Sequence, residues 1–538
     1  VSIHTATKTT STGEPGLTLE TEVLVIGGGP AGTWAAWSAA QQGAKVILVD
    51  KGYCGTSGAT AAAGTTVWYV ADPDDREAEL HQRELKGGYL SDRGWMERVL
   101  DQTRINLHRL ADWGYPFSRD ATGAPYLPSL HQGPEYMRLM RKQVKKAGVT
   151  ILDHSPALEL LLDSEGRVAG ANGVSRQLGR RWTIRAGAVI LASGGCAFLS
   201  KTLGCNVLTG DGYLMAAEAG AHLSGMEFSN VYGLSPAFAT VTKGAYYRYA
   251  TFTTEDGSVV EPGDRRTIAR ILVKQQPVYA RIDKASPEEQ QWMRTIQHNF
   301  FLPFERLGLD PFTQRFPVTL RLEGTVRGSG GLRVIDQTCA TSVPGLYAAG
   351  DAASRELICG GASGGGSPNA AWASASGCWS GAAAATFARQ LGAGIHHRSL
   401  QPAGQTALRV GNQNPINPAE MIQAVQDEVL PYDRNLFRTE QGLSASLERL
   451  HTLWDYLRHQ TVASFDRAVQ AREVAAMVAT ARWMYATALE RKESRGMHQH
   501  EDYPDLDDNY QYRLLSGGLD RVWVQPEQAV SNREFVKL

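Results

Sequence analysis

The chain has 538 residues, too many for one hydrophobic core, so two or three domains are expected. Lys+Arg 54 against Asp+Glu 55 leaves a net charge of −1, which excludes a global field for recruiting nucleic acid or an anionic membrane. Cys54, Cys196, Cys205, Cys339, Cys359 and Cys378 form no C-x-x-C pair, and no apolar run approaches the roughly 20 residues of a membrane span; a resident iron–sulfur cluster, zinc site, disulfide framework and transmembrane segment are therefore not expected.

Residues 1–18 are rich in Thr, Ser and Gly without an apolar run, and are expected to form a flexible tail, not a signal peptide. Val23 to Ile26 reads as a buried strand, Pro30 to Gln42 as an alanine-rich helix and Lys45 to Asp50 as a second strand. Between the first two lies Gly27-Gly28-Gly29-Pro30-Ala31-Gly32, a G-x-G-x-x-G sequence. Gly27 permits the turn, Gly29 lets backbone approach a pyrophosphate, and Gly32 lets helix and strand pack closely. The helix start offers unpaired N–H groups and partial positive charge to that anion. Asp50 follows 18 residues after Gly32, at the end of the second strand, where an acid accepts ribose hydroxyl protons. No second fingerprint of this kind follows another strand, so one dinucleotide is expected.

Pro73 to Trp113 reads as polar helix with an apolar stripe of Met96, Val99, Leu100, Ile105, Leu107 and Leu110. Thr150 to Val174 reads as strands with a turn at Ser164-Glu165-Gly166, and Ala188 to Ala192 as a bare apolar strand running into glycines. From about Phe228 to Thr325 aromatic residues and prolines increase, as in an inserted domain. Gly331 to Asp351 then returns to short strands and turns, and helical patterns such as Ala468 to Glu490 dominate the C-terminal part. His396-His397 and His498-x-His500 have ligand-like spacing but lie in a loop and a tail-like segment, so no metal site is expected.

Val25 to Asp50, Gly55 to Gly64, Ala192 to Gly195, Gly210 to Gly212, Met226 to Phe228 and Pro344 to Asp351 together resemble the succinate dehydrogenase/fumarate reductase flavoprotein superfamily. That group includes L-aspartate oxidase and the flavin subunit of adenylylsulfate reductase. The run Arg491 to His498, followed by Asp502-Tyr503-Pro504, is similar to its helical-domain signature. The resemblance spans about Glu22 to Asp508.

It implies an α/β fold: a Rossmann-like FAD-binding domain (19–227 and 331–404) interrupted by an α+β capping domain (228–330), then a helical domain (405–538). It implies FAD held by Gly27, Gly29, Pro30, Ala31, Gly32, Asp50, Lys51, Ser57, Gly58, Ala63, Gly64, Ala157, Ala192, Ser193, Gly194, Asp211, Gly350, Asp351 and Ser367. Ser57 and the segment to Gly64 would follow the phosphates and ring, Ala157 would meet the adenine, Gly350 and Asp351 the ribityl chain, and Ser367 the pyrimidine end. Covalently flavinylated members carry a histidine where this chain has Gly58, so non-covalent FAD is expected.

The resemblance also implies hydride transfer between flavin N5 and substrate beneath the cap, and makes Arg265 the catalytic arginine, with Arg266 as the alternative. Other members of the dicarboxylate set are missing. Tyr232 and Val326 stand where histidines are implied, Gly361 to Gly366 holds no basic residue, and a Thr-Glu pair becomes Thr242-Lys243. Tyr232, Lys243, Arg248 and Arg265 are thus the candidate catalytic residues, with Arg327 a further cation and Tyr246, Tyr247, Tyr249 and Phe252 candidate aromatic walls. A small anionic, aromatic or amino-acid-like substrate other than succinate or fumarate is expected, in a cytoplasmic setting. An oxygen-using oxidase and a flavin subunit with an iron–sulfur or other electron-transfer partner remain the alternatives.

Overall fold

The computed structural model describes residues 16–527 except 57, 120–122, 131, 243, 410–415 and 463–464. Most of the expected tail, and Ser57 and Lys243 among the candidate site residues, lie outside the described residues. The strand Leu17–Ile26 is central to the main sheet. It pairs in parallel with Val46–Val49 on one side (Val23↔Val46 to Ile26↔Val49) and with Arg180–Leu191 on the other. Val23, Leu24 and Val25 are wholly buried because helices cover both faces, which is why the run shows no polar alternation. Thr150–Leu152 extends the parallel side, and Leu346–Ala348 pairs in parallel with the end of Arg180–Leu191. Ala157–Leu162 and Val168–Ser175 form an antiparallel flank. The late strand Leu346–Ala348 brings Gly350 and Asp351 to the carboxyl edge, beside Gly27, where ligands of such sheets bind.

The stretch 73–113 is two helices, Pro73–Lys86 and Arg93–Asp112, rather than one. The break comes at Gly87 and Gly88. A Cβ on Gly87 would lie 2.6 Å from the Cys359 carbonyl oxygen, and one on Gly88 2.5 Å from Arg495 Cγ. Both glycines therefore admit backbone and side chain from the other end of the sequence. Ile105, expected in the apolar stripe, is half exposed, because the buried face runs through Met96, Val99, Leu100, Thr103, Asn106, Leu107 and Leu110.

The inserted region is an antiparallel sheet of Val231–Pro236, Phe316–Gly324, Val278–Arg281 and Thr251–Thr253, with helices Arg265–Val273, Pro287–Ile296 and His298–Leu307. Its entry and exit strands pair with each other (Val231↔Gly324, Tyr232↔Leu322), so the chain enters and leaves the cap side by side. Helices Pro418–Val429, Glu440–His459 and Phe465–Glu490 follow. The last is alanine-rich and buried around most of its circumference, hence its weak amphipathic pattern. The C-terminal part is not purely helical: Leu514–Gly517 and Trp523–Pro526 join a small sheet with Leu223–Ser224 and Gly331–Leu332.

The segment after the last long helix is held by a buried charge network. Arg491 Nε lies 2.8 Å from Glu227 Oε1 and its Nη1 2.8 Å from Glu493 Oε1, while Arg495 Nε meets Glu493 Oε1 at 2.7 Å. Arg438 and Arg491 hold the two nitrogens of buried His498. Glu356, also buried, takes a hydrogen bond from Ser224. Burial, and then the neighbouring Glu227 carboxylate, pushes the Glu356 carboxyl up to about 8. A carboxyl with a raised folded pKa binds more protons folded than unfolded between its two pKa values. Its contribution to stability is full below about pH 4 and is lost as pH rises through about 8. The urea midpoint should therefore fall from pH 5 to pH 8, and Glu356→Gln should flatten that fall; equal slopes in both proteins would refute the assignment.

Candidate active site

A cleft runs along the carboxyl edge of the sheet, from Lys51 and Asp211 past the glycine turn to Thr65, Arg327 and Gly366. The turn's shape explains its composition. Gly27 has φ +113°, and a Cβ there would lie 2.3 Å from the Ala192 carbonyl oxygen; one on Gly32 would lie 1.8 Å from the Gly27 carbonyl oxygen. A Cβ on Gly29 would meet nothing within 4 Å, since Gly29 faces the open cleft. Helix Pro30–Gln41 begins there with no acidic residue in its first turn, which leaves its N–H groups and dipole to an anion.

Of the other expected cofactor residues, Pro30, Ala31, Asp50, Lys51, Gly58, Ala63, Gly64, Ala157, Ala192, Ser193, Gly194, Asp211, Gly350 and Asp351 line this cleft. Asp50 also shapes the turn: Gly28 N–H donates to its Oδ2 at 2.6 Å and Gly52 N–H to its Oδ1 at 2.7 Å. Ser367 does not line the cleft; its neighbours Gly366 and Asn369 do, while its carbonyl accepts from Trp68 N–H. Among the described residues, Ser193 Oγ and Asn369 Oδ1 are buried against the cleft without a hydrogen-bond partner. Such orphaned polar atoms fit a polar ligand that supplies the missing partners. A cleft with an anion-binding turn, an acid at Asp50 and unpaired polar atoms further along fits FAD.

Two contributions escape sequence reasoning. Lys51 Nζ donates to Asp211 Oδ2 at 2.8 Å, to Thr209 Oγ1 at 3.0 Å and to Glu473 Oε1 at 3.1 Å. Burial disfavours the ammonium, but Asp211 and Glu473 outweigh it and raise its pKa. Glu473 comes from helix Phe465–Glu490, so the C-terminal region closes one end of the cleft. The other is Arg355, wholly buried, whose Nη1 lies 2.5 Å from Asp351 Oδ1 and whose Nη2 donates to the carbonyls of Thr325 and Gly328. The only sequence signal was a basic residue inside a glycine-rich segment.

At the far end, Arg327 lines the cleft and its Nη1 donates to the Gly365 carbonyl at 2.9 Å. Its Nε lies 3.6 Å from Glu323 Oε1, which accepts from Thr242 Oγ1 at 2.7 Å. Arg265 starts the cap helix Arg265–Val273; a Cβ on Gly244 would lie 2.9 Å from its Nη2. Thr242 thus meets Glu323 and Gly244 lies against Arg265, which is exposed and is not among the residues that line the cleft. The remaining candidates lie elsewhere. Tyr232 is buried, and its hydroxyl donates toward the carbonyls of Val429 (3.0 Å) and Leu430 (3.1 Å). Arg248 is exposed and donates to Tyr249 Oη at 2.6 Å. Arg266 and Arg270 both bind Glu501, at 2.6 and 2.9 Å.

The expected aromatic walls need correcting. Tyr246 packs against Phe300 and Phe301, and Tyr247 against Phe252, Phe300 and Phe316, inside the cap. Rings gain more by packing together in the cap core than at a wetted wall, and no aromatic side chain lines the cleft among the described residues. Cys54 is buried, and burial, then Asp50, pushes its thiol up to about 12, which makes it inert. No group of three or more His, Cys, Asp or Glu is placed to hold a metal among the described residues.

The family model described as FAD binding domain matches residues 22–232, and the one described as fumarate reductase flavoprotein C-term matches residues 420–529. L-aspartate oxidase of Streptomyces coelicolor is 26% identical over 92% of this chain and 90% of its own length. A fumarate reductase flavoprotein subunit of Mycobacterium tuberculosis is 26% identical over 92% of this chain and 94% of its own. Among solved structures, a variant of Escherichia coli quinol fumarate reductase superposes with a TM-score of 0.77 at 21% identity, covering 95% of this chain and 96% of that one. Adenylylsulfate reductase from Archaeoglobus fulgidus gives 0.74 at 20% identity, with 95% and 96% covered.

Two outcomes are expected from the geometry. Gly27→Ala, which puts a methyl 2.3 Å from a carbonyl oxygen at positive φ, should weaken FAD binding at least tenfold, about 1.4 kcal/mol, as read by flavin released on dilution. Because no His, Cys or Tyr lines the cleft among the described residues, acid precipitation should leave the yellow colour in the supernatant. Colour in the pellet would mean a covalent bond.

Proposed function

Because this chain belongs to the succinate dehydrogenase/fumarate reductase flavoprotein superfamily and is an FAD-dependent oxidoreductase, we propose that it transfers a hydride between a small anionic substrate and the flavin. Bound FAD supplies the two-electron chemistry at its N5. The cofactor would lie with its adenosine end at Asp50, Lys51 and Ala157, its phosphates over Gly29, and its ring toward Gly64, Val326 and Asn369.

The observation that carries the substrate reading is Arg327 in the cleft lining at the ring end, beside Glu323, whose carboxylate accepts from Thr242 of the cap. The role we assign to Arg265 is to polarise the reacting anion and to stabilise charge that develops on it. The remaining catalytic candidates, Tyr232 and Arg248, stand apart from this cluster, and we assign Tyr232 to holding the cap against the C-terminal region and Arg248 to the cap surface. Val326 is buried and apolar, and residues 361–366 carry no base, so this set differs from the one expected for succinate or fumarate. We assign neither as substrate.

The relatives named above include an oxidase and a flavoprotein subunit, and they define the two exits for electrons: oxygen, or a partner such as an iron–sulfur protein. Fast reoxidation of the reduced protein in air supports the first; purification in a stoichiometric complex supports the second. No helix among the described residues is long and apolar enough to cross a membrane, and all six cysteines are free and buried, which supports a reducing cytoplasmic setting. Mixed anaerobically with a panel of organic and amino acids, the yellow protein should be bleached by one of them. Arg265→Gln should retain its FAD and slow that bleaching by about 100-fold or more. Undiminished bleaching would remove Arg265 from the reaction.

A further inference from the structure

We propose that Arg327 is the anion clamp of this site, a substrate-binding residue that takes a carboxylate, supplied by the turn after the cap's last strand, which lies against the 361–366 loop. The inference rests on the reading that a small anion reacts at the ring end of the cleft.

Three of the loop's glycines are crowded, while Gly365 faces open space. A Cβ on Gly364 would lie 2.0 Å from Asn369 Oδ1, one on Gly366 2.3 Å from Thr65 Oγ1, and one on Gly361 2.8 Å from Phe228 Cε1. Among the described residues that line the cleft, the cation beside this loop is Arg327, from outside it. Arg327 lies along it, with Nη1 on the Gly365 carbonyl, and Ser363 Oγ donates to the Arg327 carbonyl at 2.9 Å, so loop and turn fix each other. The Nη1 of Arg327 is also 3.4 Å from where a Gly366 Cβ would stand; the guanidinium occupies the space a side chain there would need.

The side chain keeps donors open beside these structural contacts. Glu323 is only 6% exposed, and its carboxylate takes a full hydrogen bond from Thr242 but stands 3.6 Å from Arg327 Nε. That separation orients the guanidinium without a close hydrogen bond. Of its five N–H donors one is committed to Gly365, and among the described residues Nη2 takes no protein acceptor. The side chain keeps 24% of its surface exposed, and that surface faces the cleft. Lys51, the other cation lining the cleft, is neutralised at the opposite end by Asp211 and Glu473, and Arg355 is taken up by Asp351. A planar fork with open donors suits the two oxygens of a carboxylate. Thr242 and Glu323 also tie this arginine to the cap.

The test titrates oxalate into FAD-loaded protein, followed by the visible flavin spectrum and by equilibrium dialysis. Wild type should bind saturably, Arg327→Gln at least tenfold more weakly, and Arg327→Lys in between, all with unchanged FAD content and melting temperature. Arg138→Gln, on an exposed helix face, serves as the control and should bind as wild type does. Equal affinity in wild type and Arg327→Gln, or no saturable binding to wild type by either method, overturns the clamp. Arg327-dependent binding in a protein whose flavin no anion bleaches supports the clamp and overturns the hydride-transfer reading.

Discussion

The cleft depends on one buried guanidinium. Arg355 has no solvent exposure, and burying its charge costs several kcal/mol unless partners offset it. Those partners are Asp351 at 2.5 Å and the carbonyls of Thr325 and Gly328. One side chain therefore joins the late strand segment that brings Asp351 to the cofactor to the turn by which the chain leaves the cap. Val326 and Arg327 lie within that turn. If the guanidinium moved, the cofactor wall and the anion-facing arginine would move together. Burial pushes the Asp351 carboxyl up, and Arg355 opposes that rise.

The same economy recurs at the other junctions. Lys51 joins the FAD-binding domain to the long C-terminal helix through Asp211 and Glu473. Arg491 joins the signature segment to the turn at Glu227, and Glu501 joins that segment to the cap through Arg266 and Arg270, which also lie over Phe437. Each junction uses a fixed cation against carboxylates from distant parts of the chain. The Arg491–Glu227 pair is wholly buried and tolerates only one register, because an unpaired buried charge is costly, whereas the Glu501 pairs are partly exposed and add little. Three segments far apart in sequence are thereby held in one arrangement around the cleft.

Much of this was legible in the sequence where the physics is local. Val23 to Asp50 is legible because a buried strand, a glycine turn and a helix start each leave a mark within a few residues. The paired helices of 73–113 were read as one because the break at Gly87 and Gly88 exists to admit Cys359 and Arg495, which are hundreds of residues away. The final strands were missed because Leu514–Gly517 pairs with Leu223–Ser224, and a two-residue partner has no periodicity to detect. The tyrosines of 246–249 illustrate the converse: composition reported aromatic side chains, and packing alone decided that they face the cap core.

The sequence by itself determined the dinucleotide turn, the single FAD and the loss of a basic residue from 361–366, since these follow from which residues are present and in what order. Only the tertiary structure decided which cation stands in that place. Arg327 and Glu323 are only four residues apart, but Thr242 and Gly365 come from distant segments and meet them only in the folded chain. Distance in space, which no spacing in sequence encodes, separates Arg327 in the cleft from Arg248 on the surface and Tyr232 in the core.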